Sequence, residues 1–329
     1  MEPNGIGKHN LNGKSLNGAE ENPKPEGATP HKFGFVALVG RPNVGKSTLV
    51  NRLVGQKVAI VSEKPQTTRN RVTGILTLDD SQIVFVDTPG IHRPRHRLGK
   101  YMVTVAQKTL EEVDVILFVT RADKALCPED EEIAEKVRRS KVPQIIALNM
   151  MDLVETPTLL PLIDAFHRLC PEAEIVPVSA LRGTNVDRLL EVIKRCLPEG
   201  PAHYPPGAFT DQPEQFIVAE IIREKMLERL RDEVPHSVGV RVEEWREEEE
   251  KPIYIRATIY VEKESQKPII IGRGGKELKE IGKAARLEIE FLLGVGVYLE
   301  LWVKVRKGWR NDESTLRMLG YDQRNPGGS

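Results

Sequence analysis

Short apolar runs alternate with polar segments over residues 33–199. The apolar runs at 33–39, 83–86, 142–148 and 175–178 have the length of buried strands, and each is followed by polar residues or glycine. Strands that alternate with amphipathic helices are typical of an open sheet covered on both faces. The pattern therefore predicts a doubly wound α/β domain over residues 33–199.

Two further patterns refine this predicted sheet. Residues 71–78 and 82–86 flank Asp79-Asp80-Ser81, a turn sequence that predicts a β-hairpin. One antiparallel pair is thus expected among otherwise parallel strands. A crossover helix is predicted over residues 98–113.

A second domain with a different pattern is predicted after residue 213. Residues 200–213 are rich in proline and glycine and predict a linker. The later periodicities predict, in order, a helix at 215–230, strands at 238–245 and 253–261, a short apolar segment at 269–271, a helix at 276–293 and a strand at 297–305. An α+β domain is therefore expected over 214–310, with a disordered tail at 1–32 and a C-terminal tail at 311–329.

Composition narrows the class of protein only a little. The 329 residues carry 48 Lys+Arg and 48 Asp+Glu, so net charge alone predicts no partner. Cys127, Cys170 and Cys196 lack close metal-ligand spacing and predict reduced thiols in a cytoplasmic protein. No apolar run approaches the roughly 18 residues of a membrane span, and the first 30 residues lack the apolar core of a signal peptide.

The segment 40–47, Gly-Arg-Pro-Asn-Val-Gly-Lys-Ser, follows the first predicted strand and fits the phosphate-loop pattern G-x-x-x-x-G-K-[ST]. Its glycines let the backbone wrap closely around a polyphosphate, and the helix that begins near Lys46 adds its positive end. Lys46 supplies a cation for the β- and γ-phosphates, and the Ser47 hydroxyl suits Mg²⁺. The candidate nucleotide-binding residues of this loop are Asn43, Val44, Gly45, Lys46, Ser47 and Thr48.

Three later segments, each after a predicted strand, indicate which nucleotide binds. Asp87 can hold Mg²⁺, and Gly90 offers a backbone N–H to a γ-phosphate. Asp152, in Asn149-Met150-Met151-Asp152, can accept from the paired N–H donors of guanine, which adenine lacks. The backbone of Ser179-Ala180-Leu181 can meet the guanine O6. Ligands of open α/β sheets bind at these strand ends, so the order predicts guanine nucleotides.

In this order the motifs resemble the translation-factor-class P-loop GTPases. The sequences at 64–69 and 90–94 and the C-terminal half are similar to the ribosome-assembly branch of that family, and the resemblance covers roughly residues 33–310. It implies GTP hydrolysis to GDP with Mg²⁺, and a threonine as a metal ligand in the GTP state. We favour Thr68, with Thr67 as the alternative. The candidate catalytic residues are Lys46, Thr68, Asp87 and Gly90, and the candidate metal ligands are Ser47, Thr68 and Asp87.

Two positions depart from common GTPase patterns. Met150 replaces the lysine of N-K-x-D, so the ammonium that bonds the ribose and the phosphate loop is missing. Ile91 follows D-x-x-G where Ras-like enzymes place the glutamine that orients water. The ribosome-assembly branch shares an apolar residue there, which implies slow intrinsic hydrolysis.

The C-terminal half resembles a type II KH domain. The loop Gly272-Arg273-Gly274-Gly275 has the G-x-x-G sequence that clamps about four single-stranded nucleotides. Arg273, Lys276 and Lys279 add charge, and residues 251–310 hold 13 Lys+Arg against 7 Asp+Glu, so RNA binding is predicted there. Trp302 and Trp309 either stack bases or pack in the core. The basic stretch 92–97 (His92, Arg93, Arg95, His96, Arg97) is either a solvated loop or a mobile segment that touches RNA or a partner.

The resemblance also implies partners: the 3′ end of small-subunit ribosomal RNA, the small ribosomal subunit whose assembly the family serves, and peripheral attachment at the cytoplasmic face of the inner membrane. It implies a monomer. Two functional hypotheses follow, a GTP-driven switch that changes how the KH domain holds RNA and an RNA chaperone whose nucleotide is mostly structural. A third, a peripheral membrane GTPase, has only the basic patch behind it.

Overall fold

The computed structural model describes residues 31–64, 67–91, 94 and 96–322. Residues 1–30, which make up nearly all of the predicted N-terminal tail, lie outside this part, as do His92, Arg93 and Arg95. The first sheet comprises β1 (Lys32–Val39), β2 (Val72–Thr77), β3 (Ser81–Asp87), β4 (Val115–Arg121), β5 (Gln144–Asn149) and β6 (Glu174–Pro177). Its helices are α1 (Lys46–Val54), α2 (Arg97–Glu111), α3 (Pro128–Arg138), α4 (Leu159–Leu169) and α5 (Val186–Cys196).

The six strands lie in the order β2-β3-β1-β4-β5-β6, and β2 is antiparallel to β3 while the other pairs are parallel. Residues 36–39, 115–119 and 145–148 are fully buried, because α1 and α5 cover one face of the sheet and α2, α3 and α4 cover the other. Burial on both faces explains why these strands are continuous apolar runs. The doubly wound fold with one hairpin is therefore confirmed.

The second domain contains α6 (Glu214–Arg229), β7 (Gly239–Arg246), β8 (Ile253–Val261), α7 (Lys267–Ile271), α8 (Lys276–Leu293) and β9 (Val297–Val305). β8 lies between β7, its antiparallel partner, and β9, its parallel partner. Buried residues of α6 and α8, such as Ile222, Met226 and Ile281, pack on one face of this sheet. The order of elements and the mixed sheet confirm the α+β KH fold, while the domain boundaries remain predictions.

The proline-rich segment 200–213 runs beside the edge strand β2. The backbone N–H of Ile75 donates to Phe209 O at 2.9 Å, and Thr210 Oγ1 donates to Thr73 O at 2.7 Å. The Gln82 side chain also bonds the backbone of Tyr204. The segment thus connects the two domains while it covers an otherwise open sheet edge.

The segment predicted as a C-terminal tail contains a short helix, α9 (Glu313–Met318). Just before it, Trp309 is fully buried and donates from Nε1 to Ser237 O at 2.8 Å. Trp309, Leu316 and Tyr321 pack with residues of α2, so apolar burial holds this segment against the GTPase domain. Trp309 is thus a core residue, whereas Trp302 is half exposed on β9.

Candidate functional site

The phosphate loop follows β1, and its backbone geometry requires glycine at two positions. Gly40 has φ +153°, and a Cβ there would lie 2.2 Å from Val119 O. Gly45 has φ +91°, and a Cβ there would lie 2.3 Å from Asn149 Nδ2. Helix α1 begins directly after Gly45 with no side-chain cap. Its first backbone N–H groups are therefore suited to an anion.

Lys46 lies inside this loop, and its side chain is almost fully buried. Its Nζ donates to Gly40 O at 3.1 Å and to Arg41 O at 3.0 Å. Burial lowers the pKa of Lys46 to about 8, and the negative charge of Asp87 opposes that shift. Among the described residues its hydrogen-bond partners are neutral carbonyls, so a polyphosphate would stabilise this buried ammonium strongly.

Three oxygen-bearing side chains converge beside Lys46. Ser47 Oγ donates to Asp87 Oδ2 at 2.6 Å, and Thr68 Oγ1 donates to the same oxygen at 3.0 Å. The two hydroxyl oxygens are 3.0 Å apart. Burial raises the pKa of Asp87, and Lys46 and the two hydroxyls oppose this shift.

This cluster fits a magnesium ion. Asp87 is fully buried, and its Oδ1 has no hydrogen-bond partner among the described residues. A buried carboxylate oxygen beside two hydroxyls is a donor set that a hard cation such as Mg²⁺ prefers. Thr67 is not part of the cluster, because its Oγ1 donates to Lys64 O at 2.7 Å within its own loop.

Asn149 joins three of the predicted segments. Its Nδ2 donates to Val44 O at 2.8 Å, and its Oδ1 accepts from Ala180 N at 2.9 Å. Asn149 is buried, so its amide ties the phosphate loop to the segment Ser179-Ala180-Leu181. Arg52 of α1 supports the same segment, with Nε donating to Ala180 O at 3.0 Å.

The guanine-reading candidates lie at the same edge of the sheet. Asp152 is exposed in a single helical turn, Met151–Leu153, that follows β5. Met150 has φ +65°, and its Cε lies 3.8 Å from where a Cβ on Gly45 would be, so its side chain lies beside the phosphate loop. The structure thus brings together the segments that we predicted from strand ends.

The segment that follows β3 also packs against the phosphate loop. A Cβ on Gly90 would lie 2.7 Å from Pro42 N, so glycine allows this close approach. Ile91 N donates to Gly40 O at 3.3 Å, and its side chain is buried. An apolar, buried side chain at this position cannot orient a water molecule.

Two contacts that support the loop had not been predicted. Arg41 Nε pairs with Asp130 Oδ1 at 2.8 Å, and Asp130 is buried. Asn43 Nδ2 donates to Glu63 O at 2.5 Å. The sequence offers no signal for the first pair, because Asp130 stands between Glu129 and Glu131 and looks like an ordinary acidic helix start.

The G-x-x-G loop lies between α7 and α8 of the KH domain, far from the phosphate loop in the sequence. Gly272 has φ +74°, and a Cβ there would lie 2.7 Å from Glu277 Cβ, so the turn requires glycine. Gly274 and Gly275 also have positive φ, but a Cβ on either would meet nothing within 4 Å. This open backbone leaves space for a ligand to approach.

Three basic side chains surround this loop: Arg273, Lys276 and Lys279. All three are exposed, and no ion pair joins any of them to another described residue. Lys276 and Lys279 lie in the first turn of α8, whose N-terminal end is positive, and Arg273 lies in the turn just before it. The geometry therefore suits a phosphate backbone.

Comparison with known families and structures agrees with this geometry. A sequence profile of 50S ribosome-binding GTPases matches residues 35–150, and a KH-domain profile matches residues 233–310. A variant of Aquifex aeolicus Era, solved as a crystal structure with GDP and AlF₄⁻, is 46% identical in sequence to this chain, and the two structures align with a TM-score of 0.86. The alignment covers 88% of this chain and 99% of the Era chain. The chain belongs to the Era family.

A second Era structure, in complex with MgGDPNP and nucleotides 1506–1542 of 16S ribosomal RNA, is also 46% identical. It covers 89% of this chain and 99% of its own, with a TM-score of 0.86. The predicted resemblance is thus confirmed, and this Era-family chain is a GTPase with a C-terminal KH domain.

Proposed function

We propose that the chain binds Mg²⁺ and GTP at the phosphate loop, hydrolyses the GTP slowly, and binds the 3′ end of small-subunit ribosomal RNA through its KH loop during assembly of that subunit. The convergence of Ser47, Thr68 and Asp87 beside buried Lys46 carries the nucleotide part. The Era structure that holds 16S ribosomal RNA supports the RNA part.

Each residue of the nucleotide site has a proposed role. Lys46 holds the β- and γ-phosphates, while Ser47, Thr68 and Asp87 hold Mg²⁺, which neutralises phosphate charge when it is bound. The backbone from Asn43 to Thr48 surrounds the phosphates, and the Gly90 backbone approaches the γ-phosphate. Because Ile91 is apolar, the attacking water is positioned without help from that side chain, which is consistent with slow turnover.

The base is proposed to lie between Met150 and the loop Ser179-Ala180-Leu181, with Asp152 as its reader. Asn149, next to Met150, ties the Ala180 segment to the phosphate loop through its hydrogen bonds with Ala180 N and Val44 O. The guanine O6 then faces the Ala180 and Leu181 backbone. Asp152 is exposed at the rim, where a carboxylate can accept both guanine donors.

We expect Asp152→Asn to reduce the preference for GTP over ATP by at least about tenfold, because one charge-assisted pair of hydrogen bonds is worth roughly 1.5–3 kcal/mol. Competition of GTP and ATP against a fluorescent GDP measures this preference. Glu155→Gln, at an exposed position three residues on, is the control and should keep it. An unchanged preference in Asp152→Asn would show that Asp152 does not read the base.

Met150→Lys should tighten GDP and GTP binding about two- to twelvefold, since one regained hydrogen bond is worth roughly 0.5–1.5 kcal/mol. The backbone already holds a non-glycine residue at φ +65°, so lysine adds little strain. Leu153→Lys places the same charge at an exposed position nearby and should change affinity less. Equal or weaker binding by Met150→Lys would mean that the methionine is already compensated.

At the KH loop, Gly272, Gly274 and Gly275 are proposed to let an RNA phosphate reach the backbone. Arg273, Lys276 and Lys279 supply the opposing charge. A clamp of this kind holds about four single-stranded nucleotides and reads their edges in the adjacent groove. Binding should therefore weaken steeply with salt.

An RNA chaperone with a structural nucleotide is the second candidate, favoured by Ile91 and Met150. Single-turnover GTP hydrolysis, measured with and without RNA of the small-subunit 3′ end, separates the two. A switch hydrolyses bound GTP, and RNA changes the rate. A chaperone retains GTP over many RNA-binding cycles, and that result would contradict the proposed switch.

We propose that this protein acts as a cytoplasmic monomer. The three cysteines carry free thiols, which supports a reducing compartment. Within the described ranges, no helix combines the length and apolarity that a membrane crossing needs. The basic start of α8 is the feature that could favour an anionic membrane surface, and the RNA proposal already accounts for it. Flotation with anionic vesicles, with and without competing RNA, tests peripheral attachment.

A further inference from the structure

The GTPase segment that leads to Thr68 is fastened to helix α6 of the KH domain. Val61 N donates to Glu224 Oε1 at 2.8 Å, and Lys57 Nζ pairs with the same carboxylate at 2.5 Å. Lys64 Nζ donates to the carbonyls of Leu227 and Leu230 at the end of α6. These contacts join segments that are more than 160 residues apart in the chain.

Two buried arginines bracket Thr68 itself. Arg223 of α6 donates from Nη2 to Thr67 O, and its guanidinium is also held by Glu220, at 2.8 Å from Nε. Arg69 donates to Val238 O at 2.6 Å and to His236 O at 3.1 Å, both in the KH domain. The KH domain therefore holds both neighbours of Thr68 in the sequence: the carbonyl oxygen of Thr67 and the side chain of Arg69.

Simple adhesion between the domains does not explain these arginines well. Both are at most 2% exposed, and Arg69 Nε and Arg223 Nη1 have no hydrogen-bond partner among the described residues. Although Glu220 pairs with Arg223, burying two guanidinium groups that each leave one donor unpaired is costly, and apolar residues of similar size usually hold an interface at least as well. A planar guanidinium does, however, fix the position of a carbonyl more exactly than an apolar contact.

We propose that Arg223 and Arg69 are positioning residues of the GTPase site. They hold Thr68 Oγ1 toward Ser47 and Asp87 while α6 is docked, so that Mg²⁺-dependent hydrolysis depends on the position of the KH domain. The proposal rests on the proposed role of Thr68 as a Mg²⁺ ligand in the GTP state. It assigns to the KH domain a part in the catalytic geometry besides RNA binding.

The test is Arg223→Gln in the full-length protein. Single-turnover GTP hydrolysis should slow roughly tenfold, the Mg²⁺ concentration for half-maximal rate should rise, and GTP affinity should fall. GDP affinity should stay within about twofold, because the proposed role of Thr68 as a Mg²⁺ ligand belongs to the GTP state. Arg229→Gln is the matched control: it lies on the same helix but pairs with Glu277 of the KH domain at 2.7 Å, so it should behave like the parent.

A double-mutant cycle shows whether Arg223 affects the hydrolysis rate through Thr68. If Arg223 acts through Thr68, Arg223→Gln should cause no further loss of rate in a Thr68→Ala background. An equal loss in both backgrounds, or an unchanged rate and Mg²⁺ requirement in the single variant, would overturn the proposal. If Arg223→Gln does not fold, Arg69→Lys decides by the same measurements, since it retains the buried cation but loses one of its two carbonyl bonds.

GDP binding by the parent distinguishes this proposal from the proposed function. A parent that fails to bind GDP would contradict the nucleotide site itself. A parent that binds GDP and hydrolyses GTP, with Arg223→Gln and Arg69→Lys indistinguishable from it, would contradict only the positioning role.

Discussion

Lys46→Ala should weaken GTP binding by at least about a hundredfold. The Lys46 ammonium is the buried cation of the phosphate loop, and charge-assisted hydrogen bonds to two phosphates are together worth roughly 3–6 kcal/mol. Within the part of the chain that the structure describes, this ammonium donates to the carbonyls of Gly40 and Arg41. Isothermal titration with GTP and with GDP measures the loss.

The fold should tolerate Lys46→Ala. The pKa of Lys46 falls from 10.5 to about 8 on folding, so the protonated side chain opposes folding below pH 8, and this cost diminishes as the pH rises toward 10.5. Removing it relieves this cost but also removes the positive charge that opposes the burial of Asp87, so the melting temperature at pH 7 should change little. Lys108→Ala, at an exposed position on α2, is the control. GTP affinity within twofold of the parent in Lys46→Ala would refute the phosphate-loop assignment.

Gly274→Asp should weaken RNA binding at least tenfold. The substitution places a carboxylate where an RNA phosphate is proposed to lie, and two like charges 4 Å apart repel by about 1 kcal/mol even in bulk water and more near a protein surface. Intrinsic GTP hydrolysis without RNA should not change, because the phosphate loop belongs to the other domain. Any RNA stimulation of hydrolysis should disappear.

Gly274→Asn adds a side chain of nearly the same size as Asp but without the charge, so comparing the two variants isolates the effect of the negative charge on RNA binding. Gly274 has φ +62° and open space around a Cβ, a conformation that Asp and Asn tolerate better than other side chains. Fluorescence anisotropy with RNA and phosphate release with and without RNA are measured on both variants. Full RNA affinity in Gly274→Asp would remove the loop from the RNA site. Lost affinity with RNA stimulation intact would place the stimulating contact elsewhere, with residues 93–97 as the first candidate.

Much of the nucleotide site could be predicted because its signals are local. The phosphate loop needs glycines and a lysine within eight residues. Asp87, Asp152 and the segment at 179–181 each lie at the end of a strand or within a few residues of it. Parallel strands bring their carboxyl ends to one edge of the sheet, so strand order along the chain already implied proximity. The KH loop was equally local, with its glycines and basic residues within a few positions.

Other features depended on which surfaces meet. The sequence favoured Thr68 but left Thr67 as an alternative, and the structure places Thr68, not Thr67, beside Asp87. Trp302 and Trp309 are likewise similar in sequence, yet one is half exposed and the other fully buried. Such choices follow from packing between distant elements, which residue type and spacing do not specify.

The sequence by itself determined the fold class, the order of the nucleotide-binding segments and the KH loop, because strand and helix periodicity and glycine-dependent turns are properties of neighbouring residues. The tertiary structure alone decided that the KH domain contacts the GTPase segment next to Thr68, where Arg223 bonds Thr67 O from 156 residues away. A contact of that kind exists only when two separately folded surfaces dock, and no local pattern records the pairing.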